Sequence, residues 1–215
     1  MSRKRKKNIH IKPVIGIYCE GESEEQYFKM LCQKYNAGNI HPQQIKVKAL
    51  GESGQRLIDA AVKKGRYLHQ SKIYVVFDRD EKTDEELRAC QRLAKKYDVT
   101  ILFSSVCFEI WVLMHFELVM RPYTRRDLFD KLSGPQYFNQ DYRRFKGLPY
   151  RHFLYDRAGS AIKNAQKLYV RNHEMTTDDP YTNIHLSLGE IYSQKTFWPK
   201  KQPSSNCSKM TAFAF

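Results

Sequence analysis

The sequence predicts an α/β protein in which helices flank a small, mainly parallel β-sheet. Short apolar runs rich in β-branched and aromatic residues alternate with amphipathic stretches over residues 14–120, the pattern of successive strand–helix units. Hydrophobic residues make up 41% of the 215-residue chain, which is enough to build a sizeable core.

Four segments have the character of β-strands. The run at 14–19 is apolar and β-branched, and 73–77 (IYVVF) is the clearest buried strand in the chain. The segment 45–50 alternates lysine with apolar residues, which indicates a strand with one side in solvent. A further apolar run lies at 99–103.

Four helices are expected in the same part of the chain. Gly21 is a turn residue, and Ser23 with Gln26 fits a capping box that would begin the first helix. Thr83 is the expected N-cap of an amphipathic helix at 84–97. The remaining two helices are expected at 55–68 and, from a mostly apolar run, at 108–120.

The pattern changes after residue 121, where no segment has the character of a strand. Short helices are expected there, at 124–132, 156–171 and 181–194. The sequence thus predicts four parts: a basic disordered arm at 1–12, an α/β core at 13–120, a helical extension packed on the core at 121–195, and an irregular tail at 196–215.

The charge balance favours a polyanionic partner. The formal net charge is +14, so nucleic acid is the first candidate, an anionic membrane surface the second, and a basic protein without such a partner the alternative. The five cysteines lack metal-binding spacing, which indicates reduced thiols in the cytoplasm. No apolar run reaches the ~18 residues of a membrane span and no signal peptide is evident, so we expect no membrane partner.

Carboxylates follow two of the predicted strands. Asp78 and Asp80 come directly after 73–77, and Glu20 follows 14–19. Functional residues collect outside the carboxyl ends of strands in open α/β sheets, and side chains two apart on an extended chain point the same way. If the two strands are neighbours, the three carboxylates can hold Mg²⁺, or Mn²⁺ in its place. The alternative is that the aspartates cap a turn.

Other acidic residues lie close to these positions in the chain. Glu24 falls in the first turn of the expected helix, where it either assists the site or interacts favourably with the helix dipole. Glu22 and Glu25 are interpreted as solvated charges at the start of that helix. Glu109 lies within an apolar run, where a carboxylate is costly unless it is paired or metal-bound. Its alternative role is to meet the free amides of a helix N-terminus.

The stretch 136–157 interleaves Tyr and Phe with Arg and Lys. One interpretation is a nucleic-acid surface with phosphate contacts and base stacking. The other is a helical cover whose aromatic residues pack on the core while its basic residues stay in solvent. The candidate nucleic-acid-binding residues are Arg143, Arg144, Lys146 and Arg151, together with Arg79 between the two aspartates; the aromatic residues that would stack are Tyr142, Phe145 and Tyr150.

Four motifs, taken together and in order, resemble the RloB-like family. They are IYCEGESEEQYF, VVFDRDE, SSVCFEIWVLMHFE and DPYTNIHLSL, and the resemblance extends over roughly residues 13–195. That family belongs to the wider TOPRIM group of metal-dependent domains. The resemblance implies a TOPRIM-like catalytic core at 13–120, with Glu20, Asp78 and Asp80 as metal ligands. It also implies catalytic roles for Glu24 and for Glu109 of the Phe-Glu-Ile-Trp motif.

The resemblance implies a magnesium-dependent nuclease that cuts DNA or RNA, tRNA included, in bacterial defence against phage. An ATPase or another protein of a defence system would be a candidate partner. Two alternatives stay open from the residues themselves. One is a non-catalytic nucleic-acid-binding or regulatory module with a residual metal site. The other is a nucleotide-processing enzyme, although LGESGQR at 50–56 lacks the spacing of a phosphate-binding loop.

Overall fold

The computed structural model describes residues 13–35 and 44–192 of the chain. Its strands are β1 (Val14–Cys19), β2 (Gln44–Ala49), β3 (Lys72–Asp78), β4 (Val99–Ser105) and β5 (Tyr181–Thr182). They form one sheet in the order β2-β1-β3-β4-β5, in which β1 to β4 are parallel and β5 is antiparallel to β4. The predicted α/β class with a mainly parallel sheet is confirmed.

The helices of the described chain cover both faces of this sheet. They are α1 (Glu22–Tyr35), α2 (Gly54–Tyr67), α3 (Asp84–Tyr97), α4 (Glu109–Leu113), α5 (Arg125–Leu132), α6 (Tyr142–Phe145), α7 (Arg151–Leu154), α8 (Ala158–Tyr169) and α9 (Ile184–Ile191). None of these helices is both long and apolar enough to cross a membrane.

The two faces arise from the alternation of side chains along the strands. On β1, Ile15 and Ile17 enter a core that contains the apolar side of α1, whereas Tyr18 enters the opposite core with α2 and α3. Val75 and Val76 of β3 divide in the same way between the two cores. Burial on both sides explains why β1 and β3 are continuous apolar runs in the sequence.

The segment after residue 121 covers the α1 face of the sheet. Leu128 of α5, Leu154 of α7 and Ile184 of α9 are buried in the same apolar cluster as Ile17 of β1. Burial of these residues ties the helices to the sheet. The division into a core at 13–120 and an extension at 121–195 stays a prediction, and residues 1–12 and 196–215 lie outside the described chain.

The helix expected at 108–120 is much shorter in the structure. α4 ends at Leu113, and the following residues form turns. The ring Nδ1 of His115 donates to the Trp111 carbonyl at 3.0 Å. In a continued helix the backbone amide of His115 would bond to this same carbonyl, so the His115 side chain replaces that bond. That amide bonds the Val112 carbonyl instead. Because this run is mostly apolar, its hydrophobic pattern does not show where the helix ends.

The helix expected at 181–194 was also wrong in part. Tyr181 and Thr182 form β5, although no strand was expected after residue 121, and a helix begins only at Ile184. A two-residue strand is too short to show a period of two in the sequence. Its place at the sheet edge comes from pairing with β4, where Ser104 Oγ donates to Thr182 Oγ1 at 3.1 Å.

The two predicted helix starts had different outcomes. Thr83 caps α3 as expected: its hydroxyl accepts from the Glu86 amide, and the Glu86 carboxylate accepts from the Thr83 amide. The start predicted at Ser23 was wrong, because α1 already includes Glu22. The Glu24 carboxylate Oε2 accepts instead from the Gly21 amide at 3.1 Å, so Glu24 satisfies a free amide at this helix start.

Candidate metal centre

Glu20 and Asp78 are brought together by the pairing of β1 with β3. The two strands are parallel neighbours, with Cys19 opposite Val76, and the Glu20 amide donates to the Val76 carbonyl at 2.9 Å. From β1 the chain leads to β2 on one side of the sheet, whereas β3 lies on the other. The carboxyl edge between β1 and β3 is thus the point of strand-order reversal at which ligands bind in open α/β sheets.

Asp80 joins the other two carboxylates through a turn. An extended chain was expected from Asp78 to Asp80, but Asp80 has a φ of +46°, in the left-handed region. Its amide donates to the Val106 carbonyl at 3.2 Å. Oxygen atoms of Glu20, Asp78 and Asp80 nevertheless all lie within 4.8 Å of one another. We call these three residues the carboxylate triad; its oxygens could hold a metal ion.

Asp78 is the buried member of the triad, with 6% of its surface exposed. Its Oδ2 accepts from the Phe108 amide at 3.2 Å, whereas its Oδ1 is buried without a hydrogen-bond partner among the described residues. Burial, followed by the negative charges of Glu20, Glu24 and Glu109, raises the pKa of Asp78 to about 7. An unpartnered carboxylate oxygen at this position is a ready ligand for a cation.

Glu20 is oriented by a residue that the sequence analysis missed. Ser53 Oγ donates to Glu20 Oε2 at 2.7 Å, from the loop that joins β2 to α2. Because β2 is the other neighbour of β1, this loop lies at the same edge of the sheet. The available signal was the position of Ser53 just beyond a predicted parallel strand, in the segment already considered as a phosphate loop.

Glu24 lies in the first turn of α1 and lines the same cleft as the triad. It is buried, and burial together with the nearby charges of Glu109 and Glu20 raises its pKa to about 7, although its hydrogen bond to the backbone opposes this. The two neighbouring glutamates differ. Glu22 is exposed as expected, but Glu25 is buried and paired with Lys29 at 2.9 Å, so its interpretation as a solvated charge was wrong.

Glu109 begins α4 and is completely buried. Its Oε1 lies 3.3 Å from Lys146 Nζ and accepts from the Tyr142 hydroxyl at 3.5 Å. Its Oε2 is buried without a hydrogen-bond partner among the described residues. The charge of Glu109 contributes to the raised pKa of both Asp78 and Glu24, although Glu109 is not one of the carboxylates that converge within 4.8 Å.

Arg125 is the second residue that the sequence analysis missed. It is the first residue of α5, and its guanidinium forms an ion pair with the Asp80 carboxylate. Two clefts meet at this pair, one of about 390 Å³ beside Glu20 and Glu24 and one of about 760 Å³ beside Lys82. No local pattern in the sequence distinguishes Arg125 from the adjacent Arg126.

Arg79 is directed away from the triad and is engaged within the protein. Its guanidinium donates to Ser105 Oγ at 3.1 Å, to Asp84 Oδ1 at 3.0 Å and to the Thr176 carbonyl at 2.5 Å. These contacts tie the β3–α3 turn to the end of β4 and to the segment before β5. The proposed role of Arg79 in nucleic-acid binding stays a prediction, and its geometry favours a structural role.

The three aromatic residues expected to stack on bases are not available for that role. Tyr142 and Tyr150 are fully buried and Phe145 nearly so, all within the core cluster, as the interpretation of this stretch as a helical cover requires. Stacking by these three residues is therefore excluded. Arg143, Arg144 and Arg151 face outward: Arg143 pairs with Asp130, Arg144 with Asp141, and Arg151 donates to Gln33. Lys146 lines the cleft over the triad, and its partly exposed side chain reaches inward to Glu109.

The fold and the triad together define a class of protein. The chain is an α/β protein, consistent with a TOPRIM-like fold, with an acidic site at the carboxyl edge of its parallel strands. The family model described as RloB-like protein matches residues 15–191, and the chain therefore belongs to the RloB-like family. Searches of curated proteins and of solved structures found no significant match.

Proposed function

We propose that this protein is a metal-dependent nuclease. The observation that carries the proposal is the convergence of the carboxylate triad within 4.8 Å around an unpartnered, buried oxygen of Asp78. Three carboxylates this close repel one another unless a cation offsets their charge. Carboxylate oxygens with open space for water are the donor set of Mg²⁺ and Mn²⁺.

In this proposal Glu20, Asp78 and Asp80 hold the metal ion. When bound, the ion would polarise a phosphate group and stabilise the charge that develops on the attacking and leaving oxygens. Ser53 fixes the orientation of Glu20, and the Phe108 amide fixes that of Asp78. Such contacts behind metal ligands hold them in place and tune their affinity for the metal.

Glu24 is the general base that the geometry favours. Its Oε2 is held by the Gly21 amide, which leaves Oε1 to accept a proton from an attacking water molecule in the cleft. Buried Glu109 and partly exposed Lys146 support this wall. The ammonium group of Lys146 pairs with Glu109 and opposes the effect of the Glu109 charge on the pKa of Glu24.

A nucleic acid is the substrate class that fits the charge of the molecule. With a net charge of +14, the protein as a whole favours polyanionic partners, and exposed Arg143, Arg144 and Arg151 lie outside the buried aromatic cluster. Both DNA and RNA, tRNA included, belong to this proposal. So does the role in defence against phage that resemblance to the RloB-like family implies.

The test is cleavage of mixed DNA and RNA substrates by the purified protein, with Mg²⁺, with Mn²⁺ and with a chelator. We expect metal-dependent cleavage that falls at least about 100-fold in Asp80→Asn, because one of the three metal ligands is lost. Asp59→Asn is the matched control, since Asp59 is an exposed carboxylate on α2. Its activity should equal that of the wild type.

Four results would overturn the proposal. Cleavage that survives in the chelator, or that Asp80→Asn leaves unchanged, would show that the triad does not carry the reaction. Tight, salt-sensitive binding of nucleic acid without cleavage in any metal would favour the binding-module alternative. Turnover of free nucleotides without cleavage of polynucleotides would favour the nucleotide-processing alternative.

A further inference from the structure

Arg125 occupies a position that the proposed reaction leaves unexplained. It is the first residue of α5, whose N-terminus is fixed by the capping box of Thr124 and Asp127 and whose apolar side is buried through Leu128 and Leu132. The backbone of Arg125 is therefore rigidly placed. Its side chain is 43% exposed and reaches Asp80 of the carboxylate triad.

A cation at the first position of a helix is unfavourable with respect to the helix dipole, which prefers negative charge there. The next residue shows the ordinary arrangement. The Arg126 side chain is 85% exposed and lies 3.7 Å from Asp130 one turn further along the helix. Arg125 is turned the other way, into the site, where the Asp80 carboxylate offsets its unfavourable position. The ion pair thus joins α5 to a candidate metal ligand.

The surroundings of Arg125 allow its guanidinium to leave Asp80 without a change of fold. It lines both the cleft of about 390 Å³ over the triad and the neighbouring cleft of about 760 Å³. A half-exposed ion pair is weak and is easily replaced by a stronger interaction. A divalent cation at Asp80 is such an interaction, and a guanidinium released into a cleft can bind a phosphate group through two parallel hydrogen bonds.

We propose that Arg125 exchanges partners during the reaction cycle: it is the counter-ion of Asp80 before metal binding and the ligand of a substrate phosphate afterwards. This inference rests on the proposed function. Asp80 would be neutralised by a bound metal ion in place of Arg125, and the released guanidinium would supply positive charge at the junction of the two clefts. A nucleic-acid backbone that runs from one cleft to the other would pass this junction.

The exchange predicts opposite effects of one substitution on two kinds of binding. In Arg125→Gln, Asp80 loses its internal competitor, so Mn²⁺ should bind about fivefold more tightly in calorimetry with the protein alone. A labelled single-stranded oligonucleotide, measured by fluorescence anisotropy in Ca²⁺ in place of Mg²⁺ or Mn²⁺, should bind about tenfold more weakly because a phosphate ligand is lost. Arg126→Gln is the matched control on the same helix turn and should change neither affinity.

Arg125→Lys separates charge from geometry. It keeps a cation beside Asp80 but loses the planar, two-pronged donor, so Mn²⁺ affinity should stay near that of the wild type while oligonucleotide binding weakens. Unchanged or weaker Mn²⁺ binding in Arg125→Gln, or unchanged oligonucleotide binding, would overturn the exchange. If the wild type bound no Mn²⁺, or if Asp80→Asn bound it equally well, the metal centre itself would fail, a result distinct from failure of the Arg125 role alone.

Discussion

Asp78→Asn should make the metal-free protein more stable at pH 8 while it abolishes metal binding. Asp78 is buried among the carboxylates Glu20, Glu24 and Glu109, and its ionised form is therefore unfavourable in the folded protein. Asparagine has nearly the same shape and can still accept the hydrogen bond of the Phe108 amide through its carbonyl oxygen. The substitution removes one buried negative charge and little else.

The magnitude follows from the pKa of Asp78. It rises from an ordinary value of 3.8 to about 7 on folding, and a difference of about 3 pH units corresponds to at most about 4 kcal/mol at pH 8. We expect about half of this, about 2 kcal/mol, because the neighbouring charges readjust in the variant. For a chain of this length that is a rise in Tm of about 4–8 °C.

The sign of the pH dependence is set by the direction of the shift. Folded Asp78 holds its proton up to about pH 7, whereas the unfolded chain releases it near pH 4, so wild-type stability falls as the pH rises through this interval. The raised pKa of Glu24 acts in the same direction. The advantage of Asp78→Asn should therefore be largest above pH 7 and shrink as the pH falls from 7 towards 4.

The assay is unfolding in urea, in a chelator, at pH 5 and pH 8, with exposed Asp59→Asn as the control. Adding Mg²⁺ at pH 8 should then stabilise the wild type but not Asp78→Asn, since a ligand that binds only the folded state stabilises it. Loss of stability in Asp78→Asn at pH 8, or an equal gain in Asp59→Asn, would refute the argument that burial and carboxylate repulsion make ionised Asp78 unfavourable in the metal-free protein.

Three further substitutions test the surroundings of the triad. Lys146→Met should lower the free energy of unfolding by about 2 kcal/mol in urea, because buried Glu109 loses its cationic partner, and adding Glu109→Gln should restore most of this loss. A loss below ~0.5 kcal/mol would contradict this pairing. Ser53→Ala should weaken Mn²⁺ binding about tenfold in calorimetry through the loss of its bond to Glu20, and an unchanged Kd would show that this bond does not position the ligand. Thr83→Ala should cost about 1 kcal/mol without any effect on Mn²⁺ affinity; wild-type stability would rule out a stabilising cap.

The amino-acid sequence by itself determined the fold class and the three residues of the triad. A buried strand is encoded by a short run of neighbouring apolar residues, so the runs at 14–19 and 73–77 were enough to predict β1 and β3. Because parallel strands end at a common edge, carboxylates that follow two such strands can meet whenever the strands are neighbours. The sheet order provides this adjacency, although Asp80 reaches the site through a turn rather than an extended chain.

Only the tertiary structure decided which residues surround the triad. Each of these residues is far along the chain from the carboxylate that it contacts: Ser53 is 33 positions from Glu20, Arg125 is 45 from Asp80, and Lys146 is 37 from Glu109. No periodic pattern encodes such separations. The same holds for burial: the aromatic side chains of 136–157 pack inward because α1 and α4 offer an apolar surface there. Local patterns specify helices and strands, whereas a side chain's partners depend on which distant elements the hydrophobic effect packs together.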